Sequence, residues 1–156
     1  MANTSKSQAP QPTPRLNPAL ERLNVLVGEW KMEATKEQFK LEGHAMFEWL
    51  EDGAFLLQRS DFEPAKLPPA STMIIGSDES TETYNILYYD SRGVARMLRM
   101  SLKDGIWKIW REAPGFSQRF TSTFSEDGNT ITGRWEKSLD GTHWEHDFDL
   151  TYTKIR

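Results

Sequence analysis

Trp144-Glu145-His146-Asp147-Phe148-Asp149-Leu150-Thr151-Tyr152 places large side chains at the even positions and acidic or hydroxyl side chains at the odd ones. Successive side chains of a β-strand point to opposite faces, so this spacing describes a strand with one dry face and one wet face. The same period of two recurs upstream. Trp30, Met32 and Ala34 alternate with Glu29, Lys31, Glu33 and Thr35, and similar sets are Ala45, Phe47, Trp49 and Ile131, Gly133, Trp135. The runs Tyr84 to Tyr89 and Ile106 to Trp110 are apolar at both parities and read as strands covered on both faces. Four Asp-Gly pairs, at 52–53, 104–105, 127–128 and 140–141, each separate two such runs, which is the mark of a tight hairpin. About ten strands in antiparallel succession are expected, at the spacing of a sandwich or a barrel.

One short helix precedes them. Asn17 followed by Pro18 has the form of an N-cap with proline in the first helical position, and Glu21 sits where the helix dipole favours an acid. Leu16, Leu20, Leu23 and Val27 follow helical spacing, and Gly28 supplies a stop, so the helix is expected over about Pro18 to Val27. No later stretch can serve as a βαβ crossover, which excludes a doubly wound nucleotide-binding fold. Helix-grip folds need a long helix near the C-terminus, where this chain has its clearest strand. Pro64 to Pro69 is too proline-rich for a central strand and is expected to form a loop at one mouth of the sheet structure.

The chain has 156 residues, enough for one domain and one core. Its 23 acidic and 19 basic residues give a net charge of −4, spread along the sequence, so nucleic acid is not an expected partner. Without cysteine there is no disulfide framework, thiolate metal site or thiol nucleophile, and a reducing, cytoplasmic setting is the natural expectation. Residues 1–15, built largely from Ser, Thr, Gln, Ala and Pro, are expected to be a disordered tail ahead of a domain spanning 16–156. They contain no apolar run suited to a signal sequence or a membrane span, and no membrane partner is expected.

Gly28-Glu29-Trp30, directly after a short helix and followed by a meander of strands, resembles the opening signature of lipocalins and other calycins. The stretch Ser125 to Trp135, with Asp140-Gly141 and Trp144 after it, is similar to the end of an uncharacterised bacterial lipocalin-like family. The resemblance implies an all-β fold: a single antiparallel up-and-down β-barrel of about ten strands, with Gly28 and Trp30 in structural roles. It also implies that Trp30 plugs the closed end against a basic side chain near the C-terminus, a role that Lys154 or Arg156 could fill. The cysteines and the Thr-Asp-Tyr segment of extracellular lipocalins are absent, so secreted transport is not implied. Nitrobindin-like haem barrels are calycins too, but Lys31-Met32-Glu33-Ala34 stands where they have a glycine-rich continuation.

A small barrel either fills its interior or keeps room for one ligand, according to the size of its inward residues. Parity places Trp49, Phe120, Trp135, Phe148 and Tyr152 inside, together with small residues at Ala34, Ala45, Ser122 and Gly133. It also puts three polar side chains on apolar faces: Arg96 with Val94 and Leu98, Gln118 with Phe116 and Phe120, and His146 with Trp144 and Phe148. A buried guanidinium without a partner is costly, so water or an anionic ligand head is the expected partner of Arg96. His146 is the one candidate for acid–base or axial-ligand work. His143 lies three residues away on the opposite face, His44 is expected outside, and Glu145, Asp147 and Asp149 read as a solvated row, so no metal site is expected.

These residues predict binding of a small, largely apolar molecule whose polar or anionic end is oriented by Arg96 and His146, with no cofactor. Two alternatives use the same cavity: a cofactor-independent enzyme of small-molecule metabolism, and a haem or nitric-oxide binder with His146 or His44 on the iron. A homodimer is one way to cover the strands that are apolar on both faces, and the N-terminal helix is the other.

Overall fold

The computed structural model describes residues 18–63, 70–78 and 82–156. The expected tail, the Asn17 cap, Leu16 and the Pro64 to Pro69 loop lie outside them.

The described residues form ten strands: β1 (Gly28–Lys36), β2 (Phe39–Leu50), β3 (Phe55–Glu63), β4 (Ser71–Ser77), β5 (Tyr84–Asp90), β6 (Ala95–Lys103), β7 (Ile106–Arg111), β8 (Ser117–Phe124), β9 (Thr130–Ser138) and β10 (Glu145–Lys154). Each pairs antiparallel with the next, and β10 returns to pair with β1, which closes an up-and-down barrel. All four Asp-Gly pairs fall between strands. At Asp104 and Gly105 φ is 54° and 74°, the left-handed pair that a two-residue hairpin requires.

The helix is shorter than its spacing predicts. A single α-helical turn, α1 (Pro18–Glu21), passes into a 3₁₀ helix over Arg22–Leu26. Leu20, Leu23 and Leu26 are all buried, and a three-residue repeat keeps such side chains aligned in a 3₁₀ helix but not in an α-helix. The stop is Val27, whose backbone is extended, and Gly28 already belongs to β1. Gly28 is needed for another reason: at φ 132° a Cβ there would lie 2.4 Å from the Arg156 carbonyl oxygen.

This helical segment seals one end of the barrel. Three aromatic donors hold it: Trp30 Nε1 donates to the Leu26 carbonyl at 2.8 Å, Trp49 Nε1 donates to Asn24 Oδ1 at 2.9 Å, and the Tyr84 hydroxyl donates to the Ala19 carbonyl. Trp30 is wholly buried, edge-on to Tyr152 at 6.4 Å, with Lys154 Nζ 5.5 Å above its ring. Lys154 thus takes the basic role, while Arg156 forks onto Glu29 at 3.0 and 3.1 Å. The helix covers the barrel's end and not its wall. On the outer face of β5, Leu87 and Tyr89 remain exposed.

Trp30→Ala should remove about 3–5 kcal/mol of stability, the range for truncating a buried Trp or Phe. A thermal melt within a degree or two of the wild type would show that the closed end does not depend on this ring.

Candidate functional site

Inward-facing side chains change character along the barrel axis. Toward the helix-capped end they are dry: Trp30, Phe47, Leu56, Ile75, Ile86, Met100, Trp107 and Ile131 are fully buried. At the other end Leu41, Tyr88, Arg96, Gln118, Trp135 and Phe148 share the inward face yet are only half-buried. Side chains that point inward and still meet solvent define a mouth.

The two walls differ. On one, Trp107 meets Phe120 edge-on at 5.3 Å, Phe120 stacks on Trp135 at 5.1 Å, and Trp135 stacks on Phe148 at 6.3 Å. Phe120 lies over Gly133, where a Cβ would come within 2.4 Å of its ring. The facing strands β1 to β4 present Ala34, Gly43, Ala45, Ser60 and Ser71, with Ser60 and Ser71 hydrogen-bonded at 2.7 Å. Larger side chains on the same strands, Met32, Phe62 and Met73, are buried among them, and the Phe62 ring packs where a Cβ at Gly43 would lie.

At the mouth, Arg96 Nη1 donates to Gln118 Oε1 at 3.1 Å, and the guanidinium carbon lies 5.4 Å from the centre of the Phe116 ring. Among the described residues no carboxylate comes within 4.0 Å of Arg96. Beside it, Tyr88 and Asp90 form a separate cluster on β5. The Tyr88 hydroxyl donates to Asp90 Oδ2 at 2.8 Å, and Arg92 Nη2 donates to the same oxygen at 2.8 Å. The Arg92 guanidinium holds the Asp90 carboxyl well below the ordinary carboxylate range, against burial and with help from the Tyr88 hydroxyl. Burial, followed by the bond to Asp90, pushes the Tyr88 phenol up to about 12. The neighbouring acid is thus committed to Arg92, and Arg96 is left with a neutral amide.

Two expected site residues lie elsewhere. His146 is on the outside of the barrel, with Nε2 3.0 Å from Asp149 Oδ1. The cause is a β-bulge: His146 faces Glu136, Phe148 faces Trp135, and Asp147 is the extra residue between them. A one-residue slip turns every preceding side chain to the other face. Trp49 is at the helix-capped end, bound to Asn24, and does not reach the mouth. His44 and His143 are exposed, so none of the chain's three histidines points inward. Gln118, Phe120, Trp135, Phe148 and Tyr152 face inward as parity predicts, Tyr152 deep in the barrel, where burial raises its phenol pKa.

Sequence reasoning missed Tyr88, Asp90, Gln58 and Trp107. Each sits in a run that is apolar at both parities or begins in one, such as Leu56-Leu57, so no alternation marks its inner face. On the outer wall, a depression of about 680 Å³ runs past His44, Met46, Arg59 and Tyr89 to the rim at Ser60, Ser71 and Asp90.

The architecture is a closed, ten-stranded, antiparallel up-and-down barrel. No protein-family model matches the chain, and no curated protein matches it. Among solved structures, the crystal structure of Rv2717c from M. tuberculosis is similar with a TM-score of 0.67 and 13% identity, over 91% of this chain and 100% of that one. The S-type phycobiliprotein lyase CPES from Guillardia theta is similar with a TM-score of 0.57 and 8% identity, over 87% of this chain and 92% of that one. At these identities the likeness is one of fold.

Asp90 gives the mouth a pH dependence whose sign follows from its lowered pKa. Its contribution is present above the unfolded value, near 3.9, and is lost as the pH falls below it. Asp90→Asn should cost roughly 2 kcal/mol at neutral pH, the scale of a charge-assisted bond. The gap in melting temperature should narrow as the pH drops below about 4. Wild-type and variant melting curves that run parallel from pH 7 downward would contradict the pairing.

Proposed function

We propose that the barrel binds one small, largely apolar molecule end-on, with a polar or anionic head at Arg96 and Gln118 and its apolar body against Phe120, Trp135 and Phe148. The observation that carries this reading is the inward, half-buried Arg96 guanidinium, which has a neutral amide as partner and no carboxylate within 4.0 Å among the described residues. A charge in that position is unfavourable in the empty protein and becomes favourable when an anion accepts its remaining N–H groups. The aromatic ladder facing small residues supplies the apolar body of the site, and the capped end leaves one direction of entry. The outer depression offers no comparable demand for a ligand charge.

The alternatives fare differently. The haem alternative rests on His44 or His146 as the iron ligand, and both point outward, which removes that support. A reaction in the cavity keeps some support. One similar barrel carries the name of a lyase, and Tyr88 and Tyr152 are inward phenols. Both hold their protons at neutral pH, so either would act as a hydrogen-bond donor and not as a base. Homodimerisation through the exposed outer face of β5 is part of the same proposal, and sedimentation at several concentrations tests it.

Arg96→Met should leave the empty protein as stable as the wild type or slightly more so, because an uncompensated charge is removed. Decanoate, titrated by quenching of the barrel's tryptophans, should bind the variant about tenfold or more weakly, while decanol should bind both proteins alike. Equal decanoate affinity in the two proteins would place the head group elsewhere.

A further inference from the structure

Three polar side chains from distant strands converge deep in the barrel. Gln58 on β3 is 2% exposed, Trp107 on β7 is wholly buried, and Tyr152 on β10 is 4% exposed. Gln58 is the strand partner of Phe47, whose ring lies 6.1 Å from the Trp107 ring, and the Tyr152 ring lies 5.7 Å from Trp107. Among the described residues, Gln58 Oε1 and Trp107 Nε1 have no hydrogen-bond partner. One is an acceptor and the other a donor. Buried polar atoms are almost always satisfied, so a donor and an acceptor left open in the barrel interior ask for a group that completes them.

The demand is specific. A carbonyl or ether oxygen would accept from Trp107 and give nothing to Gln58 Oε1. An ammonium would do the reverse, and a methyl would serve neither. A hydroxyl accepts and donates through one atom, and so answers both. Turning the Gln58 amide exchanges its oxygen and nitrogen, but a hydroxyl can accept from that nitrogen as well, and the Trp107 donor is unchanged. Along β8, Gln118 lies four residues, about 13 Å, from Ser122, the strand partner of Trp107, so the deep group and the mouth are a ligand's length apart.

We propose that the deep end of the barrel recognises a hydroxyl, so that the ligand class is an apolar molecule with an acidic head at Arg96 and a hydroxyl at its far end. This rests on the end-on binding proposed above. Gln58 and Trp107 are then specificity determinants, which sort hydroxylated from plain chains of equal length.

The test compares decanoate with ω-hydroxydecanoate by isothermal titration calorimetry, on the wild type and on Gln58→Leu. The wild type should bind the hydroxylated chain about tenfold tighter, as one satisfied buried pair allows. In Gln58→Leu the preference should fall to about twofold or less, and a cooperative thermal melt shows the variant to be folded. Trp107→Phe should lose the preference similarly; if it does not fold, Gln58→Leu alone decides. Equal wild-type affinity for the two chains, as when a single water fills the deep pair, overturns this inference and leaves end-on binding standing. So does a preference that survives Gln58→Leu. Failure of either chain to bind overturns both readings.

Discussion

The Trp30 indole, donating to the Leu26 carbonyl and lying beneath the Lys154 ammonium, joins three parts of the chain at one point. It ties the helical cap to β1 and lies beside the seam where β1 meets β10. Around it, Glu29 exchanges backbone hydrogen bonds with Arg156 and Ile155, while its carboxylate takes the Arg156 fork. The sealed end follows from this arrangement, and the direction in which the interior opens follows from the sealed end. Tyr84 and Trp49 add two further donors to the cap, which is why so short a helical segment can hold its place without a long helix's own cooperativity.

Above that floor the interior is built from opposites. Aromatic rings climb one wall, while the other mixes alanine, glycine and serine with larger apolar side chains such as Phe47 and Phe62. Polar groups are set at two depths, Arg96 with Gln118 at the mouth and Gln58 with Trp107 below. Among the described residues the deep pair leaves Gln58 Oε1 and Trp107 Nε1 without partners, which is costly for the empty protein. A barrel meant only to be stable would place leucine or phenylalanine at such positions. The Asp90 cluster is the contrast: its carboxylate is satisfied by Arg92 and Tyr88, and it secures the turn into β6 without asking for a ligand.

The alternation in β1, β2, β9 and β10 made the strand faces legible, and the Asp-Gly pairs made the connectivity legible, because both signals are local. The resemblance at Gly28-Glu29-Trp30 supplied closure and the plug. What could not be read was non-local. The bulge at Asp147, where Lys36 and Lys137 approach the carboxylate at 3.7 and 4.0 Å, breaks no rule of composition, yet it turned His146 outward. The 3₁₀ helix was hidden because Leu16, Leu20, Leu23 and Val27 follow the α-helical repeat while Leu20, Leu23 and Leu26 follow the three-residue one, and only the floor they pack on decides between them. Of the candidate site, Arg96 and Gln118 were correctly faced, whereas Gln58, Tyr88 and Trp107 stood in runs with no parity to read.

The pairing of β1 with β10 has a consequence for synthesis. Trp30 finds its strand partner, Lys154, only after every intervening hairpin has left the ribosome. Until then β1 and β9 both carry unpaired backbone edges, and the aromatic wall has neighbours on one side only. Chains are made at about 5–20 residues per second, so this open sheet persists for several seconds, and it is the state most exposed to edge-to-edge association with other nascent chains. Half-buried Lys31 and Glu33 on the outward face of β1, with exposed Lys40 and Glu42 on β2, put alternating charge beside one of those edges, and such charge discourages wrong pairing while the ring is incomplete.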